Sequence, residues 1–194
     1  PILLTEMIEE ALNLLSAKIS PDIEGTRKAI LDYFKGRLSG LLISDAHRYD
    51  TVEAALGAGF DHLPDAKARV EALTAFRGEP LFEPFTVVCK RAMNIIKGSE
   101  IRAVEKGLLQ HESENTLYQS VQLVEKKVKN LIQKGKYGEA LTTIASLRDA
   151  IDAFFDGVMV MDKDMKIRDN RLALLTRVAG LVSRIADFSK IVVE

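Results

Sequence analysis

Residues 154–175, "FFDGVMVMDKDMKIRDNRLALL", contain the feature on which the fold assignment depends. Three aspartates, Asp162, Asp164 and Asp169, lie among basic residues between two apolar runs. Such a cluster is typical of a calcium loop, of an acid–base pair or of the polar connection between two helices. The first two would make this segment a functional site, whereas the third would make it a joint between packed helices.

The calcium pattern fails at three positions. Asp162 and Asp164 match the first and third ligands of such a loop, but Lys166 stands where the next oxygen ligand is required. Ile167 replaces the glycine of the sharp turn, and Ala173 replaces the bidentate glutamate. Asp162 and Asp164 suit a helix N-terminus instead, whose partial positive charge attracts carboxylates. The sequence therefore favours the connection between two helices.

The rest of the chain has the apolar spacing of α-helices. Apolar residues recur three and four positions apart, and the period-2 alternation of strands hardly appears. Helices are predicted over about 3–18, over 22–43 after Asp22, and, as a short helix, from Asp50 or Thr51 to "GAG". Further helices are predicted from Pro64 to just before Gly78, over 80–97, over 113–134 with Gly135 at the end, and over 137–160. A last helix is predicted from near Asp169 to the chain end. The short connections predict an all-α antiparallel bundle of the up-and-down kind.

Composition limits the class of protein. A chain of 194 residues with 47% hydrophobic residues can bury a proper core. The single cysteine, Cys89, excludes an intrachain disulfide and fits a reducing compartment. No apolar run approaches the roughly 18 residues that span a bilayer. We therefore expect a cytoplasmic protein without a membrane segment, and the net charge of -1 predicts no general attraction for DNA or RNA.

The sequence offers no self-contained active site. "HESEN", from His111, approaches the zinc-protease helix, but Asn115 stands where the second histidine ligand is required. The other histidines, His47 and His62, fall on separate predicted elements. The nucleophile-elbow, dinucleotide and P-loop patterns are absent. We expect neither catalytic nor metal-binding residues in this chain.

One basic stripe is a candidate RNA surface. On the helix predicted over 80–97, Lys90, Asn94 and Lys97 lie opposite the apolar face of Phe85, with Arg91 alongside. That apolar face comprises Leu81, Phe85, Val88, Cys89, Ala92 and Ile96. Cations bind phosphates and an amide reads a base edge, so the stripe suits single-stranded RNA. An ordinary solvated face is the alternative, as it is for the lysines of 126–136.

Arg171 differs from the other arginines of the chain. It falls on the apolar side of the last predicted helix, whereas Arg177 and Arg184 share the outward side. A buried guanidinium requires a carboxylate partner, and Asp156 and Asp169 are the nearest in sequence. The pattern predicts a structural clamp at Arg171.

Several motifs in one order resemble a known family. The run "FFDGVMVMDKDMKIRDNRLALLTRVAGLVSRIADFSK", with "DYFKGRLSGLLISDAHRYDTVEAAL" and "CKRAMNIIKG" before it, closely resembles the C-terminal anticodon-binding domain of bacterial glycyl-tRNA synthetase β subunits. The resemblance spans about residues 26–190. It implies a helical bundle of the class I synthetase-like anticodon-binding type. It also implies tRNA(Gly) as a partner, and an α subunit that holds the glycine and ATP site in the full heterotetramer.

The resemblance carries particular residues with it. The motif-matched positions are Arg37, Tyr49, Asp50, Lys90, Arg91, Asn94, Arg168, Asn170 and Arg171. The predicted RNA-binding set is Arg37, Lys90, Arg91, Asn94, Lys97, Arg168 and Asn170. The family implies no cofactor in this chain, with ATP and Mg²⁺ acting in the holoenzyme. The alternative is a structural or interaction bundle that assembles subunits or domains.

Domain organisation follows from the same match. The chain begins at Pro1, without methionine and inside the amphipathic pattern "LLTEMIEEALNLL", so we expect it to belong to a longer polypeptide. Residues 1–25 are predicted to form a helix leading in from an upstream domain. Residues 26–190 are predicted to form the anticodon-binding domain, with 26–97 and 113–190 as sub-lobes joined by 98–112.

Overall fold

The computed structural model describes residues 2–16, 22–100 and 102–193, which contain nine α-helices, two 3-10 turns and no strand. The helices are α1 Leu4–Ser16, α2 Ile23–Ser44, α3 Tyr49–Gly57, α4 Leu63–Phe76, α5 Phe82–Ile95, α6 Glu112–Gln133, α7 Tyr137–Ala145, α8 Arg148–Gly157 and α9 Met165–Ser183. The 3-10 turns are Lys106–Leu108 and Phe188–Lys190. The all-α prediction is confirmed. None of the helices in these ranges is long and apolar enough to cross a bilayer.

Several helix boundaries follow from local capping signals. The Asp22 carboxylate accepts a hydrogen bond from the Gly25 N–H at 3.0 Å and begins α2. Gly135 has a φ of 69°, the left-handed conformation that ends a helix, directly after α6. The predicted cap at Asp50 or Thr51 is wrong, because α3 already begins at Tyr49. The predicted end of the first helix, at about 18, lies outside the described residues.

The helix predicted over 137–160 is two helices. α7 ends at Ala145 and α8 begins at Arg148. The Ser146 hydroxyl donates to the Thr143 carbonyl at 2.7 Å, and the Thr143 hydroxyl donates to the Glu139 carbonyl at 2.7 Å. Such bonds compete with the helical ladder and bend the chain. The bend allows both α7 and α8 to pack against α6.

The last helix begins earlier and ends earlier than the prediction. Asp164 is its N-cap and accepts hydrogen bonds from the N–H groups of Lys166 and Ile167. The cap confirms that this carboxylate begins a helix, but it moves the start four residues before Asp169. After Ser183 the chain turns back, and the Asp187 N–H donates to the Ala54 carbonyl of α3 at 2.8 Å. We call residues 187–193 the C-terminal segment.

A single large apolar core holds most of the helices together. Its aromatic centre consists of Phe76, Phe82, Phe85 and Phe188, whose rings meet edge to face. Helices distant in sequence meet around it, with α4 against α7 and α5 against α9. α1 adds a smaller cluster, in which Leu4, Ile8 and Leu12 pack against Ile30 and Leu31 of α2.

The inner face of α5 matches the prediction except at its start. Phe85, Val88, Cys89 and Ala92 are buried as expected, and burial raises the pKa of the Cys89 thiol far above its ordinary value. Leu81 is 41% exposed because it precedes the first turn of α5. The opposite face of α5, which includes Val87, Arg91 and Asn94, is exposed.

Tyr137 links α7 to α4 and provides a pH-dependent test of this packing. Its hydroxyl donates to Asp65, and burial together with this carboxylate raises the pKa of Tyr137 from 10.0 to about 12. A raised folded-state pKa contributes stability that is present below pH 10 and is lost as the pH rises through about 12. Ultraviolet titration of tyrosinate should show a late transition that Tyr137→Phe abolishes. A single transition with its midpoint near pH 10 for all four tyrosines of the folded wild type would contradict it.

Candidate nucleic-acid interface

An open groove of about 660 Å³ runs between α5 and the C-terminal segment. We call it the first groove. One wall is the exposed face of α5, and the other is the backbone and side chains of residues 189–193. Its lining residues are Val87, Lys90, Arg91, Asn94, Ile95, Ser189, Lys190, Ile191, Val192 and Val193.

The first groove is cationic, although the chain as a whole is nearly neutral. Among the described residues it is lined by three cations, Lys90, Arg91 and Lys190, and by no carboxylate. Four other surface grooves each have at least one carboxylate in their lining, including Glu105, Asp61, Glu100 and Glu139 respectively. Unopposed cations in a concave surface concentrate a positive potential, which attracts phosphates.

The outward side chains of α5 are positioned by the burial of its inner face. Lys90 and Asn94 are one helical turn apart and both line the first groove. The Arg91 guanidinium lies 4.0 Å from the centre of the Phe155 ring, so a cation–π contact holds it against α8. The predicted basic stripe is thus at the surface, although Lys97 lies beyond the last turn of α5 and outside the groove lining.

Asp50 holds the opposite wall in place. Its carboxylate accepts a hydrogen bond from the Val192 N–H at 2.8 Å and lies 3.0 Å from Arg77. Arg77 in turn donates to the Val192 carbonyl at 2.7 Å. Burial opposes ionisation of Asp50, but the Val192 N–H and the Arg77 guanidinium outweigh it and hold the pKa of Asp50 below its ordinary value. The motif-matched "RYD" aspartate is therefore a positioning residue for the groove.

Asp50→Ala is expected to release the C-terminal segment and to lower the free energy of unfolding by about 1–3 kcal/mol, because buried hydrogen bonds to a charged group are lost. Hydrogen exchange at the Val192 amide should accelerate. Asp45→Ala, at an exposed carboxylate nearby, is the control. In the wild type, the contribution of Asp50 is complete above pH 3.8 and is lost as the pH falls through its lower folded-state pKa. Unchanged exchange at Val192 in the variant would contradict the assignment.

The other predicted RNA-binding residues lie apart from the first groove. Arg37 is exposed on α2, and Arg168 forms an ion pair with Asp169 at 3.1 Å. Asn170 is buried, with its amide accepting from the Glu105 N–H at 2.7 Å and donating to the Glu105 carbonyl at 3.1 Å. Through these two hydrogen bonds, Asn170 holds the connector between α5 and α6 in place.

Arg171 is a buried clamp, but its partners differ from those predicted. It is 6% exposed and donates to Glu114 at 2.7 Å and to Asp162 at 2.7 Å. Asp156 is exposed, and Asp169 pairs with Arg102 and Arg168 instead. The helical wheel identified the buried guanidinium, whereas its main partner lies 57 residues away in sequence.

The "HESEN" motif is the N-terminus of α6. The Glu114 carboxylate accepts hydrogen bonds from the N–H groups of Gln110 and His111, each at 2.7 Å, and the His111 ring accepts from Ser113. This is a capping box. No cluster of three or more metal-binding side chains occurs in the part of the chain that the structure describes.

One further prediction differs from the structure, and one groove residue was not predicted. Arg177, predicted to face outward, pairs with Glu125 and lies 5.2 Å from the Tyr118 ring on α6, whereas Arg184 is exposed as expected. Lys190 belongs to the groove but was not predicted as a site residue. Lys190 ends "DFSK", the last part of the run that resembles the family. This short stretch has no helical periodicity, so the sequence does not indicate what surrounds Lys190.

An all-α bundle with a cationic groove is consistent with a nucleic-acid-binding domain. Residues 87–191 match the family described as the DALR anticodon binding domain, and the chain belongs to this family. The match begins at Val87 and ends at Ile191, both of which line the first groove.

Curated relatives specify the particular protein that the chain resembles. The chain is 45% identical over 188 residues to the glycine–tRNA ligase beta subunit of Trichlorobacter lovleyi. It is also 45% identical, over the same length, to the beta subunit of Geobacter metallireducens. These alignments cover 97% of this chain and 27% of each relative. The beta subunit of Syntrophus aciditrophicus is 38% identical over the whole chain, which covers 28% of that protein. The chain thus spans about a quarter of these relatives, and the resemblance predicted from its motifs is confirmed.

Proposed function

We propose that this chain recognises the anticodon of tRNA(Gly) as part of the beta subunit of a glycine–tRNA ligase. The observation that carries the proposal is the first groove, because its cations have no opposing carboxylate among the described lining residues. The groove also lies within the region that matches an anticodon-binding family. The names of the relatives supply the amino acid and the type of subunit.

In this proposal the groove binds a single-stranded RNA loop. Lys90 and Arg91 contact phosphates and set the register of the RNA, while the Asn94 amide pairs with the edge of a splayed base. Val87 and Val192, which are 56% and 53% exposed, provide apolar surface on which the base rests. The side chains of the groove thus supply both the sequence-independent and the sequence-reading contacts that such recognition requires.

The chemistry of ligation belongs to the partner subunit in this proposal. The alpha subunit would hold glycine, ATP and Mg²⁺ in the cytoplasmic heterotetramer, and this chain would assist by binding the tRNA. Recognition of the anticodon needs no nucleophile, acid–base pair or metal.

The test is the affinity of the chain for tRNA(Gly) and for the same tRNA with a substituted anticodon. We expect tighter binding of the native anticodon and, because phosphates are contacted, affinity that falls steeply as salt is raised. Equal affinity for both tRNAs, or binding that is insensitive to salt, would refute anticodon recognition. Thermal unfolding of each preparation verifies that the chain is folded.

The second candidate function is an interaction bundle. Exposed apolar side chains on α1 and α2, including Met7 at 58% exposure, Tyr33 at 66% and Leu41 at 61%, favour it. If assembly is the main task, charge reversal at Lys90 and Lys97 leaves tRNA binding intact, while truncation of the bundle prevents assembly with the alpha subunit. If the anticodon proposal is correct, the same charge reversal weakens tRNA binding.

A further inference from the structure

Lys190 lines two grooves. Besides the first groove, it borders a second groove of about 410 Å³ formed by α1, α2 and the end of α3. The second groove includes Lys35 of α2 and Phe60, which follows α3. Because this residue belongs to both linings, the two grooves adjoin at Lys190. Lys35 of α2 thus lines the same groove as Lys190.

The position of Lys190 is determined by close packing against α3. A Cβ atom placed on Gly57 would lie 3.3 Å from the Lys190 Nζ atom and 3.2 Å from the Asp187 Cβ atom. The absence of a side chain at Gly57 thus allows the lysine stem to cross the last turn of α3. The ammonium group lies at a helix C-terminus, where the partial negative charge of the helix favours a cation.

The second groove has the chemistry of a site for a nucleotide. Lys35 forms no ion pair with any described residue. The described lining holds two lysines, Lys35 and Lys190, against one carboxylate, Asp61, which accepts hydrogen bonds from the Thr5 N–H at 2.7 Å and from the Thr5 hydroxyl at 2.8 Å. Phe60 is half-buried and contributes an aromatic surface. Cations beside an aromatic ring are the features by which proteins hold single-stranded nucleic acid.

We propose that the second groove binds the nucleotide adjacent to those in the first groove, an inference that rests on the proposed function. Lys190 contacts the phosphate between the two subsites, Lys35 contacts the following phosphate, and the base stacks on Phe60. The volume of the second groove, about 410 Å³, lies within the roughly 300–1,000 Å³ typical of small-ligand sites. The RNA path thus runs from α5 across the C-terminal segment to α2.

The test compares three single variants, Lys35→Gln, Lys90→Gln and Lys67→Gln, in binding the anticodon stem-loop of tRNA(Gly) over a salt series. Lys67 is exposed on α4, where it faces Glu71, and serves as the matched control. We expect Lys35→Gln to weaken binding about five-fold and to reduce the salt slope by about one, as for one lost phosphate contact. Lys67→Gln should have no effect.

The outcomes separate the two proposals. If Lys90→Gln weakens binding and Lys35→Gln does not, the second subsite is refuted and the proposed function stands. If neither Lys90→Gln nor Lys35→Gln changes the affinity, the proposed function fails.

Phe60→Leu keeps an apolar side chain but removes the ring, and should weaken binding about ten-fold. Photocrosslinking from thiouridine placed in the loop should label the peptide that contains Phe60, and labels confined to α5 and the C-terminal segment would overturn the second subsite.

Discussion

Replacing Glu114 by alanine is expected to lower the free energy of unfolding by about 3–5 kcal/mol, because a buried guanidinium would lose its carboxylate. Glu114 is 0% exposed, and its Oε1 atom accepts from Arg171 at 2.7 Å. Asp162, the other carboxylate on Arg171, lies at the surface and compensates only in part. The expected loss of about 3–5 kcal/mol is a large fraction of the roughly 5–15 kcal/mol that stabilises an ordinary domain.

Glu114 has this effect because several elements meet at its carboxylate. Its Oε2 atom accepts from the N–H groups of Gln110 and His111 and so begins α6. Arg171 of α9 also donates to the Met159 carbonyl, which fixes the chain after α8. A Cβ atom on Gly157 would lie 2.7 Å from the His111 ring, so α8 ends directly against this cap. One substitution therefore loosens α6, α8 and α9 together.

Urea unfolding measures this effect, with Glu112→Ala as the matched control. Glu112 is exposed in the same first turn of α6 and should change the free energy of unfolding by less than about 0.5 kcal/mol. The double variant Glu114→Leu with Arg171→Met should be less destabilised than the sum of the single variants, because neither buried member of the pair keeps a charge without its partner. Equal effects of Glu112→Ala and Glu114→Ala would show that the clamp contributes nothing.

The clamp illustrates what a single sequence reveals about a fold. The apolar spacing of α9 identifies Arg171 as buried, since periodicity is a local property. The partner depends on how α6 lies against α9, and local spacing carries no information on that contact. Two of the aspartates in 154–175 show the same difference between local and long-range contacts. Asp164 is a local cap and was predictable, whereas the pairing of Asp162 with Arg171 depends on the turn of the chain between them.

The candidate site shows the same limit. The wall on α5 follows from the helical wheel, which placed Lys90, Arg91 and Asn94 outside. The wall formed by the C-terminal segment does not, because a short non-periodic stretch takes its position from distant groups. Here those groups are Asp50 and Arg77, which bond to Val192 from 142 and 115 residues away. The shared position of Lys190 between two grooves therefore emerges only from the structure.

Reversing the charge at both Lys90 and Arg91 is expected to reduce the affinity for tRNA(Gly) on the order of 100-fold at moderate salt, because two phosphate contacts become repulsive. The slope of the logarithm of affinity against the logarithm of salt concentration should become less negative by about two. The chain should remain folded, since the contact of Arg91 with the Phe155 ring contributes only about 1 kcal/mol.

The matched control is the double variant Lys126→Glu with Lys127→Glu. These adjacent lysines are exposed on α6 and outside the first groove, and their reversal changes the net charge by the same amount. An equal loss of affinity in both double variants would mean that tRNA responds to overall charge and that the groove has no special role. Loss in the Lys90 and Arg91 variant alone localises phosphate binding to α5, because the two proteins differ only in where the negative charge is placed.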